Sequence, residues 1–321
     1  MRRLLSGLTA AVLAGALAAC GTSSGDSGGT TDAEGVDQVK VGVIPIVDVA
    51  PIFLGKEKGF FKSRNIELTL ESGQGGAAIV PGVVSGQFQF GFSNFTSLLI
   101  AQTKSVPVKT VAAGVASTGE AGKDFGAVVV KGDSPIKTAK DLVGKKISVN
   151  TLKNIGDTVT RESVRKAGGD KKNLNFVEMP FPNMPAALQD GQVDAAWVVE
   201  PQLSTIKAAG GREVASTFVD TAPNLTVAAY FASTQLIEKD ADLVKRFTDA
   251  INESLTYADA HPDEVRNVLG SYTKIDEKLR ASMVLPKWPT QINEPSVQTL
   301  ATLGAEDGIF TGTPDLEKLL P

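Results

Sequence analysis

Cysteine and histidine each occur once, at Cys20 and His261, in a chain of 321 residues. A single cysteine excludes an intrachain disulfide framework and a cysteine-rich zinc site. A single histidine leaves at most one Ser-His-Asp or Cys-His arrangement, which must use His261. No Walker A phrase, no dinucleotide fingerprint and no Gly-x-Ser-x-Gly elbow between a strand and a helix is present. A basic block is missing too: 32 Lys and Arg face 36 Asp and Glu, a net charge of −4, which argues against nucleic acid as a partner. The usual catalytic kits are therefore absent, and neither a cofactor nor a metal is expected. What remains is an ordinary globular composition, 42% hydrophobic and 21% charged, long enough for two domains in one body.

The N-terminus reads as an address. Met1-Arg2-Arg3 is a short positive region, and residues 4–19 form an apolar run shorter than the roughly 20 residues of a spanning helix. A secretory signal peptide over residues 1–19 fits it better. The run ends in Leu17-Ala18-Ala19-Cys20-Gly21, which resembles the bacterial lipobox. That resemblance implies that Cys20 receives a diacylglycerol, becomes the new N-terminus and anchors the protein outside the cytoplasm. Two acyl chains hold where one is marginal. Residues 20–36 then read as the lipidated cysteine and a Gly, Ser, Thr and Asp-rich tether.

A supersecondary unit occurs twice. Residues 39–46 predict a buried strand, 50–61 a helix, 66–70 a strand, 73–85 a helix and 86–92 a strand. Downstream, 146–150, 157–167, 175–178, 183–189 and 193–197 repeat that order. Each unit closes on a matching phrase, Ser85-Gly86-Gln87-Phe88-Gln89 and Asp190-Gly191-Gln192-Val193-Asp194. The β-α-β-α-β order predicts parallel strands with right-handed crossovers. Between the units, residues 125–131 predict a strand, and 134–142 a turn and short helix. Beyond them, 225–231 predicts a strand, and 241–260, 276–285, 295–303 and 314–320 predict helices. The expected fold is α/β, with two similar lobes of mixed, mainly parallel sheets around a hinged cleft. Residues 37–118 with 225–321 make the first lobe and 119–224 the second, joined by crossings near 114–130 and 221–231. Ligands in such sheets bind outside the carboxyl ends of the strands.

Several phrases carry a resemblance to a known family. They are Pro51-Ile52-Phe53-Leu54-Gly55-Lys56-Glu57-Lys58-Gly59-Phe60-Phe61, the Gly86 phrase, Ser134-Pro135-Ile136-Lys137 leading to Asp141-Leu142-Val143-Gly144-Lys145, and Ala187-Leu188-Gln189 leading into the Gly191 phrase. Over residues 39–213 the chain resembles substrate-binding lipoproteins of ABC importers, in the nitrate/sulfonate/taurine and thiamine-precursor family with the type 2 periplasmic-binding-protein fold. The resemblance implies a monomer that captures a small molecule and delivers it to a permease coupled to an ATPase subunit.

It also implies ligand contacts in the loops after the strands. In the first lobe these loops hold Asp48 and Ala50, then Gln74, then Ser93, Asn94 and Thr96. Ser93 and Asn94 also suit an N-cap, because an apolar helix follows. In the second lobe Ile155, Gly156 and Thr158 offer backbone N–H groups and a hydroxyl, while Asp157 reads as the N-cap of its helix. Asn183 follows the next strand. Trp197 serves either the lobe core or stacking on a flat ligand. Glu200, before Pro201, reads either as a polar contact to an amine or ring N–H or as a helix-start carboxylate. Among these loops Lys153 is the only base, which shifts weight from nitrate or sulfonate towards a neutral, zwitterionic or amine-bearing ligand, such as taurine or an aminopyrimidine.

Two other functions use the same fold. A thiamine-pyrimidine synthase would consume its own histidine and carry a cysteine-rich segment, but His261 lies far from the proposed loops in sequence, at an expected exposed helix end. A lipid-anchored sensor would lack the permease. The expectation is a binding protein rather than an enzyme.

Overall fold

The computed structural model describes residues 30–31 and 35–321. The expected signal peptide, the lipidated Cys20 and most of the tether lie outside the described residues. The chain opens with β1 (Thr30–Thr31) and β2 (Asp37–Val43), then runs through α1 (Ala50–Glu57), β3 (Ile66–Ser72), α2 (Gly76–Val84), β4 (Phe90–Asn94), α3 (Phe95–Thr103) and β5 (Val108–Ala116). It crosses over into β6 (Gly126–Val130), β7 (Lys146–Val149), α4 (Ile155–Lys166), β8 (Asn175–Glu178), α5 (Met184–Gln189), β9 (Ala195–Val199), α6 (Gln202–Ala208), β10 (Arg212–Ala215) and α7 (Thr217–Thr221). It returns as β11 (Thr226–Ser233) and ends in α8 (Thr234–Lys239), α9 (Ala241–Ala260), α10 (Pro262–Tyr272), α11 (Glu277–Ser282), α12 (Glu294–Glu306) and α13 (Leu316–Leu319).

These strands build two sheets with one shared plan. In the first, β3, β2 and β4 run parallel, and β11 lies antiparallel between β4 and β5. In the second, β8, β7 and β9 run parallel, and β6 lies antiparallel between β9 and β10. In each sheet the antiparallel strand within the sheet, β11 or β6, is the one that arrives from the other lobe, while the short β1 pairs antiparallel with β2 at the edge of the first. Strands β6, β9 and β11 are buried along their whole length and read as continuous apolar runs because both sheet faces are covered. Strand β2 alternates at its start, with Val39 and Val41 inside and Gln38 and Lys40 outside.

The matching phrases do the same work in both lobes. Gly86 and Gly191 take positive φ, +78° and +70°, just past the ends of α2 and α5, where a side chain would be strained. Three residues later a side chain docks on the first strand of its repeated unit, β2 or β7. Gln89 Oε1 accepts the Lys40 N–H at 2.8 Å, and Asp194 Oδ2 accepts the Lys146 N–H at 2.8 Å. The phrases are therefore turns, and the strands start later than the sequence pattern predicts, at Phe90 and Ala195.

Other expected boundaries move for local reasons. The first helix stops at Glu57 rather than residue 61, because Gly59 turns the chain at φ +79°. The cap of α4 is Asn154, whose side chain accepts the Ile155 N–H at 2.8 Å. Asp157 is not the N-cap; it sits inside the first turn and accepts the Lys153 N–H at 3.2 Å. The helix expected over 276–285 is only Glu277–Ser282, and most of β5, together with β10, α6, α7, α8 and α10, lies outside the expected elements.

The long helix α9 buries Leu243, Phe247, Ala250, Ile251, Ser254, Leu255 and Ala258 along one stripe. Phe247 stacks on Phe90 with ring centroids 3.7 Å apart, joining this helix to the first sheet. Burying a phenylalanine contributes about 1.5–3 kcal/mol. His261, partly buried at the junction of α9 and α10, stacks on Tyr257 and meets the Tyr257 carbonyl through Nδ1 at 2.7 Å.

Candidate functional site

The two lobes meet through a ring of specific contacts. Asn154 Nδ2 donates to Ser97 Oγ at 3.0 Å, joining the start of α4 to α3. The Val47 N–H donates to the Glu200 carbonyl at 3.1 Å, and the Val284 N–H donates to Glu200 Oε1 at 3.2 Å. Lys171 Nζ pairs with Asp307 Oδ1 at 2.8 Å, tying the loop after α4 to the end of α12. The lobes are closed upon one another.

Inside that ring lies a cavity of about 30 Å³. Aromatic side chains from both lobes wall it: Phe92 from the first, and Phe181, Trp197 and Phe218 from the second. Trp197 stands edge-on to Phe218 at 6.0 Å and 5.8 Å from Phe181. Its Nε1–H is satisfied by Thr217 Oγ1 at 3.1 Å, so the ring is fixed. The polar groups on the wall are Asp48, Asn94 and Asn150. A cavity of this size holds one or two waters, so a larger ligand enters only if the lobes part.

Asp48 is the feature that stands out. It is 3% exposed, and its Oδ1 has no hydrogen-bond partner among the described residues. The Trp288 Nε1–H holds its backbone carbonyl at 3.1 Å, which fixes the turn that presents it. Burial pushes its carboxyl up to about 7, with its own backbone N–H opposing and Asp124 adding to the rise. A buried carboxylate without a partner is costly, and a cation or an N–H donor placed against it removes that cost. The buried Tyr230 hydroxyl also lacks a partner among the described residues.

A second chamber of about 80 Å³ adjoins the first and shares Ile44, Ile46 and Phe181 with it. Its polar wall consists of Ser72, Gln74 and Gln202. No lysine, arginine or histidine lines either chamber. Larger depressions lie on the outside, about 340 Å³ beside Lys131 and Gly210 and about 440 Å³ beside Tyr257 and His261. Neither carries a buried carboxylate without a partner.

The structure brings together part of the residue set expected from sequence. Asp48, Asn94, Ile155 and Trp197 line the inner chamber, and Gln74 lines the outer one. Asn94 is also the cap of α3, accepting the Ser97 N–H at 2.9 Å. Ala50, Ser93, Thr96 and Thr158 are buried and line neither chamber. Gly156 gives clearance to the tryptophan: a Cβ there would come within 2.7 Å of the Trp197 ring. Asn183 is exposed at the start of α5 and lines neither chamber.

Glu200 is 1% exposed, and its carboxylate is fully used. Oε2 accepts the Ser204 N–H at 2.9 Å, and Oε1 accepts the Ser204 hydroxyl at 2.7 Å besides the Val284 N–H. Burial pushes this carboxyl up while those bonds oppose it. It ties lobe to lobe and lines neither chamber. Phe92, Asn150, Phe181, Phe218 and Gln202 are wall residues that no sequence spacing singles out, since they meet only once the lobes close.

A two-lobed α/β body whose lobes close over a small buried chamber is an architecture that solute-binding proteins share. The family model described as NMT1/THI5 like matches residues 46–265, and the chain belongs to that family. A curated relative, "Putative binding protein BAB2_1146" of Brucella abortus (strain 2308), is 25% identical over 228 residues, covering 70% of this chain and 67% of the relative. Among solved structures, the alkanesulfonate-binding protein SsuA of Xanthomonas axonopodis pv. citri superposes with a TM-score of 0.74 at 16% identity, covering 88% of this chain and 98% of that one. The periplasmic nitrate-binding protein NrtA of Synechocystis PCC 6803 gives 0.76 at 14% identity, covering 89% and 86%. The desulfurization enzyme DSZB shares the fold at a TM-score of 0.63 and 16% identity, covering 88% and 95%. No helix among the described residues is long and apolar enough to cross a membrane.

Proposed function

We propose that this chain is a monomeric, lipid-anchored solute-binding protein that works outside the cytoplasm, without catalysis. It captures a small flat ligand bearing an amine or N–H group and delivers it to an ABC permease driven by an ATPase subunit. Cys20 carries the lipid in this reading, the lobes are residues 37–118 with 225–321 and 119–224, and nucleic acid plays no part. The observation that carries the ligand class is Asp48 Oδ1, buried and without a partner on the wall of a chamber built from four aromatic rings. Aromatic walls favour a flat ring, and the carboxylate favours a positive charge or hydrogen-bond donor beside it.

Nitrate and sulfonate, the ligands in the names of two structural relatives, fit this wall poorly. Asn94 and Asn150 could donate to an anion, but Asp48 would repel it, and no basic side chain lines the chamber to offset that. An amine also repays what the carboxylate loses by burial.

A thermal-shift screen of the full chain in detergent, with aryl amines, aminopyrimidines, taurine, aliphatic sulfonates and nitrate, tests the reading. It expects a rise of several degrees with a nitrogen-bearing ring and none with nitrate. A rise with nitrate or a sulfonate alone overturns it. The anchor is tested separately: Cys20→Ser should release the protein from membranes while leaving binding intact.

A further inference from the structure

The first turns of α4 carry a second group of buried polar atoms, and Asp157 at its centre lines neither chamber. Asp157 is 3% exposed, and its Oδ1 has no hydrogen-bond partner among the described residues. Thr160 Oγ1 and Arg161 Nε on the same helix, and Asp307 Oδ2 from the first lobe, are likewise buried without a partner. Helix α4 packs on α7 and residues 139–142 of its own lobe, and on α3 and α12 of the other. Lys171, in the loop after α4, holds Asp307 at 2.8 Å and Glu306 at 3.4 Å, and Arg161 Nη1 donates to the Lys171 carbonyl. Three carboxylates from two lobes thus gather around two bases.

Few charges reach Asp157 itself. Arg161, one turn along, and Asp307, across the lobe contact, are the two that do. Lys153 touches it through its backbone N–H. Glu162 pairs with Arg165 at 2.6 Å, and Asp220 on α7 accepts the Ser163 hydroxyl at 2.7 Å. Lys140 and Asp141 are exposed, α3 carries no charged residue, and Glu294 lies at the opposite end of α12. Burial pushes the Asp157 carboxyl up to about 6; the Lys153 N–H, Arg161 and its own N–H oppose the rise, and Asp307 adds to it. Parting the lobes withdraws Asp307, α3 and α12, and gives the carboxylate back to water.

We infer that the contact of Asp157 with Asp307 is a proton-taking latch: closing the lobes binds one proton at Asp157, and losing that proton helps the lobes part. The closed form binds more protons than the open one, so acid favours closure. The gain accrues as pH falls from about 6 towards 4 and is absent above that window. Asp48 titrates near 7, so amine binding between pH 6 and 7 reads Asp48 alone. The latch holds whichever ligand the chamber takes.

Hydrogen exchange on the full chain in detergent, with no ligand added, tests it. The Val47 amide is the reporter, because it donates across the lobes to the Glu200 backbone carbonyl, which does not titrate. Between pH 6 and 4 its protection factor should rise more steeply in the wild type than in Asp157→Asn, by about tenfold per pH unit. Asn keeps the size of the side chain and an acceptor for the Lys153 N–H. Equal slopes in the two proteins would overturn the latch, since a purely structural Asp157 changes protection by one factor at every pH. The side-chain carboxyl carbon of Asp157 gives a second reading that needs no variant. Its NMR signal should titrate near pH 6, and titration near pH 4 would overturn the latch as well. Neither outcome touches the amine reading of the chamber, which fails or stands on ligand binding.

Discussion

Lys171 Nζ lies 2.8 Å from Asp307 Oδ1, and the pair joins the two lobes on a contact where the Asp307 side chain is 3% exposed. Burial pulls the lysine ammonium down, and Asp307 and Glu306 more than offset it, so its pKa ends above the ordinary value. The pair stands between an exposed bridge, worth about 0.5 kcal/mol, and a buried one, whose disruption costs about 4 kcal/mol. Lys171→Met should therefore weaken closure by about 2 kcal/mol and ligand affinity by roughly thirtyfold. Small-angle scattering should show a more open molecule. Unchanged affinity and radius would show that the pair does not hold the lobes.

Asp48 makes binding and stability depend on pH. Its carboxyl is raised from 3.8 to about 7 by burial, so between those values the folded protein binds more protons than the unfolded chain. Stability contributed by this site is then highest in acid and is lost as pH rises through about 7. Asp157, raised to about 6 by burial, acts in the same direction. Asp48→Asn should stabilise the ligand-free protein at pH 8 by about 2 kcal/mol, with little effect at pH 4. Melting curves at the two pH values check this. A protonated amine needs the ionised carboxylate, so affinity for benzylamine should fall about tenfold per pH unit below about 7.

Glu200 predicts a different pattern. Its carboxylate serves Ser204 and Val284, so Glu200→Ala leaves those donors without their partner and should cost about 1–3 kcal/mol. The loss of affinity should be the same for every ligand that the protein binds, because closure is what weakens. Asp48→Asn should instead penalise amines selectively. An amine-selective loss in Glu200→Ala would place Glu200 in the site itself.

Trp197 gives an optical readout. Trp288→Phe leaves Trp197 as the sole tryptophan, and its ring lies on the chamber wall. Saturation with an aryl amine should shift or quench its emission. Emission that stays the same at saturation, with binding confirmed by calorimetry, would return Trp197 to a purely structural role.

The duplicated plan was legible in the sequence because both units end on phrases that do the same mechanical job, with Gln89 and Asp194 docking on equivalent strands. The phrase around Asp141 was legible as well. Its carboxylate accepts the Lys137 and Thr138 N–H groups, each at 2.9 Å, and Leu142 is buried beneath it. Asp48 could be found because it follows β2, at the carboxyl end of a parallel strand, where it lines the inner chamber. Phe181 and Phe218 could not, since an apolar residue in a single helical turn reads as core until the other lobe closes over it. Glu200 was visible as a carboxylate, but its role depends on Val284, a contact between distant parts of the chain. Asp157 resembled a cap because the helix starts earlier than its periodicity suggests, at Ile155.

The central claim is that the chamber receives a nitrogen-bearing ring at Asp48 rather than an anion. Calorimetric titration of the full chain at pH 7.5 with benzylamine, ethanesulfonate and nitrate tests it most directly, repeated on Asp48→Asn. The account predicts measurable binding of benzylamine, at least a tenfold loss of that binding in Asp48→Asn, and no heat from nitrate or ethanesulfonate. Micromolar binding of either anion, about −8 kcal/mol, with none of the amine, would contradict it.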